Sequence, residues 1–168
     1  MQSDRPVSPT TLSVRTDIPA CCGGLLDAVL LLNRLALGLY FLLAGVGKLR
    51  MGVGQFYEKG FLKLKPAWLP DAVASPYGHA LPFLECALGG LLVLGLLGRW
   101  AAGLMALLLL SFTVALWQAG MFFGGPGPFH DNVPFLTLAM LLAVTGPGRF
   151  SVDGLLKREP PMHTDERR

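Results

Sequence analysis

The sequence predicts an all-α protein, a bundle of four antiparallel transmembrane helices with an amphipathic interfacial segment in the first loop. Its 168 residues are 52% apolar and only 15% charged, whereas an ordinary soluble domain has about 25% charged residues. The mean hydropathy is +0.53. The apolar residues also form continuous runs rather than an alternating pattern, which favours helices, because a bilayer excludes strands with unpaired backbone.

Polar segments lie on both sides of the predicted bundle. Residues 1–24 are predicted to be a disordered polar head, residues 25–156 the membrane domain and residues 157–168 a charged disordered tail. The head is rich in proline, serine and threonine, which is typical of disorder. It lacks the basic stretch followed by an apolar stretch that marks a cleavable signal peptide, so none is predicted.

Four apolar runs approach the length of about 20 residues that a helix needs to cross about 30 Å of hydrocarbon. They cover residues 25–49, 76–97 (or 80–97), 100–123 and 131–145. The second and third runs are separated only by the Gly98-Arg99 corner. The fourth is the shortest, and Gly146-Pro147-Gly148 is a strong stop signal after it.

The first loop, residues 50–75, carries the amphipathic pattern. Four apolar residues share one helical face at i, i+4, i+7 and i+11, namely Tyr57, Phe61, Leu64 and Trp68. Three lysines flank this face, Lys59, Lys63 and Lys65. The pattern suits a short helix in the headgroup region, with its aromatic side chains toward the hydrocarbon and its ammonium groups toward water. The alternative is an irregular surface loop with scattered aromatic residues.

The distribution of lysine and arginine predicts the orientation. The side of the head, the Gly98-Arg99 corner and the tail has eight such residues, Arg5, Arg15, Arg99, Arg149, Lys157, Arg158, Arg167 and Arg168. The opposite side has five, Lys48, Arg50, Lys59, Lys63 and Lys65. The positive-inside rule then predicts a multi-pass protein of the plasma (inner) membrane with both termini in the cytoplasm. The net charge of +3 is too small to indicate a nucleic-acid partner.

Charged residues inside the spans are the strongest functional signal, because a charge in mid-membrane costs at least about 2.5–3.5 kcal/mol. Arg34 and Lys48 lie on one stripe of the first span together with Gly38 and Gly45, which allow a neighbouring helix to approach closely. Glu85 lies on the facing stripe of the second span. Antiparallel packing would place Glu85 between the two cations, and the pattern does not assign one partner.

Further polar residues fall in the half of the bundle that faces the first and third loops. The predicted intramembrane charge cluster and pocket contain Arg34, Lys48, Glu85, Gln118, His130, Asp131 and Asn132. A polar pocket beneath an amphipathic segment suits a lipid-soluble molecule with a polar headgroup, such as a quinone. No residue is assigned a catalytic role.

Structural interpretations compete with this one. Arg34 and Glu85 can form an ion pair that only fixes the helix register. Asp131 or Asn132 can cap the start of the fourth helix. His79 and His130 share a membrane side, but two lone histidines at loop edges are a weak haem signal.

The three cysteines add little chemistry. Cys86 is interpreted as a small core residue rather than a redox thiol. Cys21 and Cys22 are adjacent, close to the predicted cytoplasmic surface, where thiols stay reduced, so a stable disulfide is not expected. They are either acylated or incidental, and no metal site is predicted from their spacing.

Several motifs follow one another in an order that resembles a known family. They are the run from Arg34 to Leu49, Glu85 followed by Gly89-Gly90-Leu91, the turn from Gly95 to Arg99 and the ending from Gly146 to Asp153. Over residues 32–155 the chain resembles the DoxX/DoxD-like small integral membrane proteins.

The resemblance implies a four-helix membrane bundle in which Arg34, Lys48 and Glu85 match recurrent intramembrane charges. Members of that family include the small subunit of a thiosulfate:quinone oxidoreductase and partners of membrane-associated redox complexes. No flavin, haem or metal motif is evident in the sequence, so electrons would come from a redox partner subunit or a diffusible donor.

Three classes of function follow. The chain is a membrane subunit of an oxidoreductase that accommodates a quinone, a non-catalytic scaffold or assembly partner, or a small solute or proton carrier. The carrier is the least favoured, because the sequence has neither broken helices nor paired repeats.

Overall fold

The computed structural model describes residues 20–123 and 130–156. Most of the predicted polar head and the whole predicted tail therefore lie outside the described residues, as do the side chains of Cys21 and Cys22. The elements in chain order are α1 (Ala20–Met51), α2 (Val53–Phe56), a π-helical turn (Tyr57–Phe61), α3 (Leu62–Leu64), α4 (Asp71–Leu94), α5 (Gly98–Gln118), α6 (Asn132–Thr145) and α7 (Val152–Leu156). All regular structure in the described ranges is helical, which confirms the predicted all-α class.

Within the described residues, three helices are long and apolar enough to cross a membrane. They are α4, α5 and the Gly23–Met51 part of α1. The fourth predicted span corresponds to α6, which has only 14 residues. At 1.5 Å per residue it extends about 21 Å, short of the roughly 30 Å of hydrocarbon. The structure thus supports three candidate spans and one shorter apolar helix, and the predicted number of four spans is not confirmed.

Three predicted helix ends were wrong. The first helix begins at Ala20 rather than at residue 25. The second span begins at Asp71 rather than at residue 76 or 80, because α4 continues through Pro76 and Pro82; membrane helices tolerate proline where neighbouring groups satisfy the freed backbone. The third span ends at Gln118 rather than at residue 123, because Gly120 has a φ of +68° and closes the helix. Met121 N–H then donates to the Leu116 carbonyl at 3.0 Å, as in a Schellman motif.

Helices α1 and α4 are in close contact through glycines. A Cβ atom at Gly89 would lie 2.6 Å from the backbone nitrogen of Leu42, and one at Gly45 would lie 2.8 Å from the Pro82 carbonyl oxygen. Small residues let two backbones approach in this way, and their van der Waals packing stabilises the pair where no water is available to drive association.

We expect Gly89→Ala to separate α1 from α4 and to lower the free energy of unfolding by about 1–3 kcal/mol, the usual cost of overpacking. Thermal unfolding in a mild detergent measures the change. Gly90→Ala is the matched control, because a Cβ atom there meets no atom within 4 Å. Equal melting temperatures for the two variants would contradict the close packing.

Helices α5 and α6 form the second pair, which packs on α1 through the core of the bundle. The core includes Leu37, Leu92, Met105, Leu109, Ala139 and Leu142, none of them more than 1% exposed. The α4–α5 corner turns sharply, with positive φ at Gly95 and Leu97. This corner sets α5 antiparallel to α4.

After α6 the chain returns over the α4–α5 corner in a stretch that we name the clasp segment, residues 146–154. Arg34, buried in α1, donates from Nη1 to the Pro147 carbonyl at 3.2 Å and from Nη2 to the Phe150 carbonyl at 2.8 Å. The Asp153 carboxylate accepts the backbone N–H groups of Leu97 and Gly98 at 3.0 and 2.8 Å. The clasp segment thereby connects α1 to the start of α5, at what we call the clasp end of the bundle.

Candidate functional site

A buried ion pair joins α1 to α4 at the other end of the bundle. Lys48 Nζ lies 2.5 Å from Glu85 Oε1. Glu85 is fully buried, whereas the Lys48 side chain is a quarter exposed. The ammonium group also lies 5.0 Å from the ring centroid of Phe56 and 5.7 Å from that of Phe112, within cation–π range.

Only one oxygen of the Glu85 carboxylate is satisfied by this arrangement. Oε2 is buried and has no hydrogen-bond partner among the described residues. A buried carboxylate oxygen without a donor is costly, and in native proteins such a group is explained by strain, by a catalytic role or by a bound water or ion. Glu85 therefore retains one oxygen that can accept a hydrogen bond or a proton.

A cavity of about 780 Å³ lies beside this ion pair, between the α1–α4 pair and the α5–α6 pair. Lys48 and Glu85 are part of its wall, and the rest is largely apolar. Eight residues of that wall are aromatic, Tyr40, Phe41, Phe56, Phe61, Trp68, Tyr77, Phe112 and Phe135. The cavity occupies what we call the cavity end of the bundle.

The first loop covers the cavity and is largely helical, as α2, the π-helical turn and α3 follow one another. We call residues 53–69 the lid segment. Phe61 and Tyr57 pack against Gly78 of α4, where a Cβ atom would lie 2.7 Å from either ring. Tyr57 also stacks on His79 with 4.4 Å between ring centroids, and Lys65 pairs with Asp71. These contacts seat the aromatic face of the lid segment on the start of α4.

A second polar pair bridges α4 and α5 inside the cavity. The Tyr77 and Ser111 hydroxyl oxygens are 2.5 Å apart, and Ser111 Oγ also donates to the Leu108 carbonyl at 2.7 Å. Since a serine hydroxyl has one proton, Tyr77 is the donor to Ser111. Neither residue was among the predicted site residues, and a serine within an otherwise apolar run was the available signal.

The start of α6 brings His130, Asp131 and Asn132 to the cavity wall. Asn132 is buried and donates from Nδ2 to the Leu109 carbonyl at 2.8 Å and to Thr113 Oγ1 at 2.6 Å, so it holds α6 against α5. The predicted capping by Asp131 or Asn132 was wrong. Asp131 makes no side-chain cap bond, and His130 Nδ1 instead accepts the Asn132 N–H at 3.2 Å. In a neutral ring this leaves the proton on Nε2.

Two predicted cluster members lie elsewhere. Arg34 is at the clasp end, where its partners are backbone carbonyls, so it neither pairs with Glu85 nor reaches the cavity. Gln118 is the exposed last residue of α5 and lines a smaller cavity of about 490 Å³ beside Lys63 and Trp68. The structure therefore unites Lys48, Glu85, His130, Asp131 and Asn132 and separates Arg34 and Gln118 from them.

Cys86 and His79, the other residues with reactive side chains, lie in contacts between helices. Cys86 faces Gly45, and its thiol lies 3.9 Å from the Leu42 carbonyl oxygen, in the α1–α4 contact. His79 Nδ1 is 2.7 Å from the Ser75 carbonyl oxygen while its ring stacks on Tyr57. Among residues 20–123 and 130–156, no group of three or more histidine, cysteine or acidic side chains is arranged to hold a metal ion.

Comparison with protein families identifies the chain. The family model described as methylamine utilisation protein MauE matches residues 26–127, more than half of the sequence. The chain belongs to the MauE family. With its three long apolar helices it is a multi-pass membrane protein. Comparisons with curated proteins and with solved structures gave no match.

The MauE match covers the ion pair, the lid segment and the Tyr77–Ser111 pair, which all lie before residue 127. His130 to Asn132 and the clasp segment lie beyond it. The family shown is MauE, and the comparison does not extend to the DoxX-like proteins that the motifs resemble.

Proposed function

We propose that this MauE-family protein is the membrane subunit of an oxidoreductase complex and that its cavity accommodates a quinone or a similar lipid-soluble molecule, a role like that implied by the DoxX-like resemblance. The observation that carries the proposal is the placement of a buried ion pair, Lys48 with Glu85, in the wall of an aromatic cavity. Buried charge in a membrane helix is expensive and marks functional sites.

The size and the lining of the cavity support a ligand of this class. Pockets for small molecules are about 300–1,000 Å³, mostly apolar, with a few placed polar groups. The cavity of about 780 Å³ fits that range, and its aromatic rings provide flat surfaces for a flat quinone ring.

The polar groups of the cavity suit a quinone head. Quinone oxygens only accept hydrogen bonds, so the head needs donors, and Lys48 Nζ has protons beyond the one shared with Glu85. Reduction to a quinol also consumes two protons. Glu85, with its unpartnered oxygen, and His130 are the titratable groups of the wall that we assign to proton transfer.

Electrons would come from a partner. We propose a redox partner subunit or a diffusible donor, because a quinone accepts electrons and the chain shows no motif for a redox cofactor of its own. The family description names methylamine utilisation, and we extend that setting to this chain. We further propose that α6 completes a fourth crossing of the plasma membrane, which would put both termini in the cytoplasm.

A non-catalytic scaffold is the second candidate. The observation that favours a scaffold is the direct contact between Lys48 and Glu85, beside the rings of Phe56 and Phe112. A purely structural ion pair would require the same contact. A scaffold needs no ligand in the cavity, so ligand binding separates the two candidates.

Tryptophan fluorescence tests quinone binding in the cavity. Trp68 lines the cavity, whereas Trp100 lies at the start of α5, at the clasp end. In nanodiscs, a variant that retains only Trp68 is expected to show saturable quenching by a quinone, because the bound ring lies near the indole. A variant that retains only Trp100 is the matched control and is expected to show only non-saturable quenching from quinone dissolved in the bilayer.

Equal, non-saturable quenching of the two variants would contradict the quinone role and favour the scaffold. Lys48→Met in the Trp68-only background is expected to weaken the saturable component by about tenfold or more, since loss of one charged donor removes about 1.5–3 kcal/mol.

A further inference from the structure

Some side chains of the cavity wall also form the outer surface of the bundle. Leu107, Leu110 and Val114 lie on one face of α5 and line the cavity, yet Leu107 is 64% exposed and the other two are also exposed. Val73 of α4 lines the cavity and is 54% exposed. Tyr40 of α1 also lines the cavity and is 51% exposed. Residues that belong to both surfaces form the rim of an opening, so the cavity reaches the outer surface of the bundle, and on α4 and α5 its rim is apolar.

The packing of the two helices explains the opening. At the clasp end the short corner from Gly95 to Leu97 holds α4 and α5 together. Toward the cavity end the lid segment packs on α4, and the Tyr77–Ser111 hydrogen bond bridges α4 to α5. The contact across this gap uses a long tyrosine side chain, in contrast to the backbone contact through Gly89 between α1 and α4.

The depth of the opening determines what can enter. Leu107 is eleven residues before Gln118, the end of α5, and Val114 is four residues before it. At 1.5 Å per residue the rim extends from about 6 Å to about 16 Å below that helix end. These depths correspond to hydrocarbon when α5 spans a bilayer, so the rim faces acyl chains rather than water.

The ion pair lies at the deep end of the same cavity. Glu85 is nine residues before the end of α4, and Leu107 is nine residues after the start of α5. In an antiparallel pair with a short corner these two positions lie at similar depth. When the polar head of a ligand lies at Glu85 and Lys48, a tail attached to that head can therefore reach the rim.

We propose that this rim is a lateral portal through which the ligand enters from the bilayer, and that the ligand is an amphiphile with a carbonyl-bearing ring head and a long isoprenoid or acyl tail that stays in the portal. This inference rests on the proposed quinone role and names its substrate class. A tail-less, water-soluble quinone lacks the group that the portal holds.

The test compares two quinones that share a ring, one without a tail and one with a long isoprenoid tail, by quenching in the Trp68-only protein in nanodiscs. Quinone is expressed as a mole fraction of the bilayer, which removes differences in partitioning. The portal variant is Leu110→Phe with Val114→Phe, which narrows the rim. The control is Leu104→Phe, because Leu104 is exposed on α5 but does not line the cavity.

We expect the portal variant to weaken binding of the tailed quinone about tenfold more than it weakens binding of the tail-less quinone. We expect the Leu104→Phe control to change the affinity for neither quinone. If the portal variant leaves the tailed quinone unaffected, or weakens both quinones equally, the portal is wrong while the quinone site stands. If neither quinone quenches Trp68 saturably in the protein with an unmodified rim, the proposed function is wrong and the portal inference is wrong with it.

Discussion

Replacement of Lys48 by methionine is expected to lower the free energy of unfolding by about 3–5 kcal/mol, because it leaves a buried carboxylate without its cation. Glu85 is fully buried, and Lys48 Nζ is its hydrogen-bond partner at Oε1. Denaturant unfolding in mixed micelles, followed by circular dichroism, measures the loss.

The double variant Lys48→Met/Glu85→Gln distinguishes the cost of an unpaired buried charge from the loss of the cation that binds the quinone. It is expected to recover much of the lost stability, because no charge stays buried, while quinone quenching of Trp68 stays weak. Lys63→Met is the matched control, since Lys63 is exposed on the lid segment, and its effect is expected to stay within about 0.5 kcal/mol. A Lys48→Met protein as stable as the Lys63→Met protein would contradict the buried pair.

Replacement of Arg34 by methionine is expected to lower the free energy of unfolding by about 2–4 kcal/mol, because two carbonyls lose a charged donor that was itself buried. Those carbonyls belong to Pro147 and Phe150 of the clasp segment. The same unfolding measurement applies, and limited proteolysis at the clasp segment reports its release from the α4–α5 corner.

Arg34 is thus expected to contribute to stability alone, whereas Lys48 is expected to contribute to both stability and quinone binding. At temperatures where the Arg34→Met protein is folded, its saturable quenching of Trp68 is expected to equal that of the unmodified protein, because Arg34 does not line the cavity. Arg99→Met is the control for the clasp, since Arg99 is exposed and its bond to the Thr145 carbonyl is 3.5 Å long. Loss of quinone binding on Arg34→Met, with the fold intact, would contradict the separation of the two ends.

Part of the fold was predictable because the runs of apolar residues and the spacing of glycine and aromatic residues are local features of the sequence. The apolar runs located the helices, since lipid allows only internally bonded backbone. The spacing of Gly38, Gly45 and Glu85 placed one glycine face of α1 toward α4, and the structure shows that contact. The aromatic period of the first loop matches the helical part of the lid segment, which ends at Leu64, whereas Trp68 lies in a turn beyond it.

Long-range backbone partners explain why the cation that pairs with Glu85 could not be predicted from the sequence. Arg34 and Lys48 are fourteen residues apart on one stripe, with Glu85 at a depth between them, so periodicity alone could not choose its cation. Glu85 pairs with Lys48 because Arg34 instead donates to two carbonyls of the clasp segment, which lie more than a hundred residues further along the chain. The start of α4 was misplaced for a similar reason, because proline in sequence indicates a break and only the packed helix tolerates it.

The most direct test of quinone binding in the cavity is photoaffinity labelling of the full chain in its membrane with a long-tailed azidoquinone, followed by peptide mapping. The cavity beside the Lys48–Glu85 pair predicts labelling of its wall, at Tyr40, Tyr77 or Phe112, with competition by unmodified quinone and loss on Lys48→Met. Labelling spread over the lipid-facing helices, or found mainly at the clasp end around Trp100, with no competition, would contradict it.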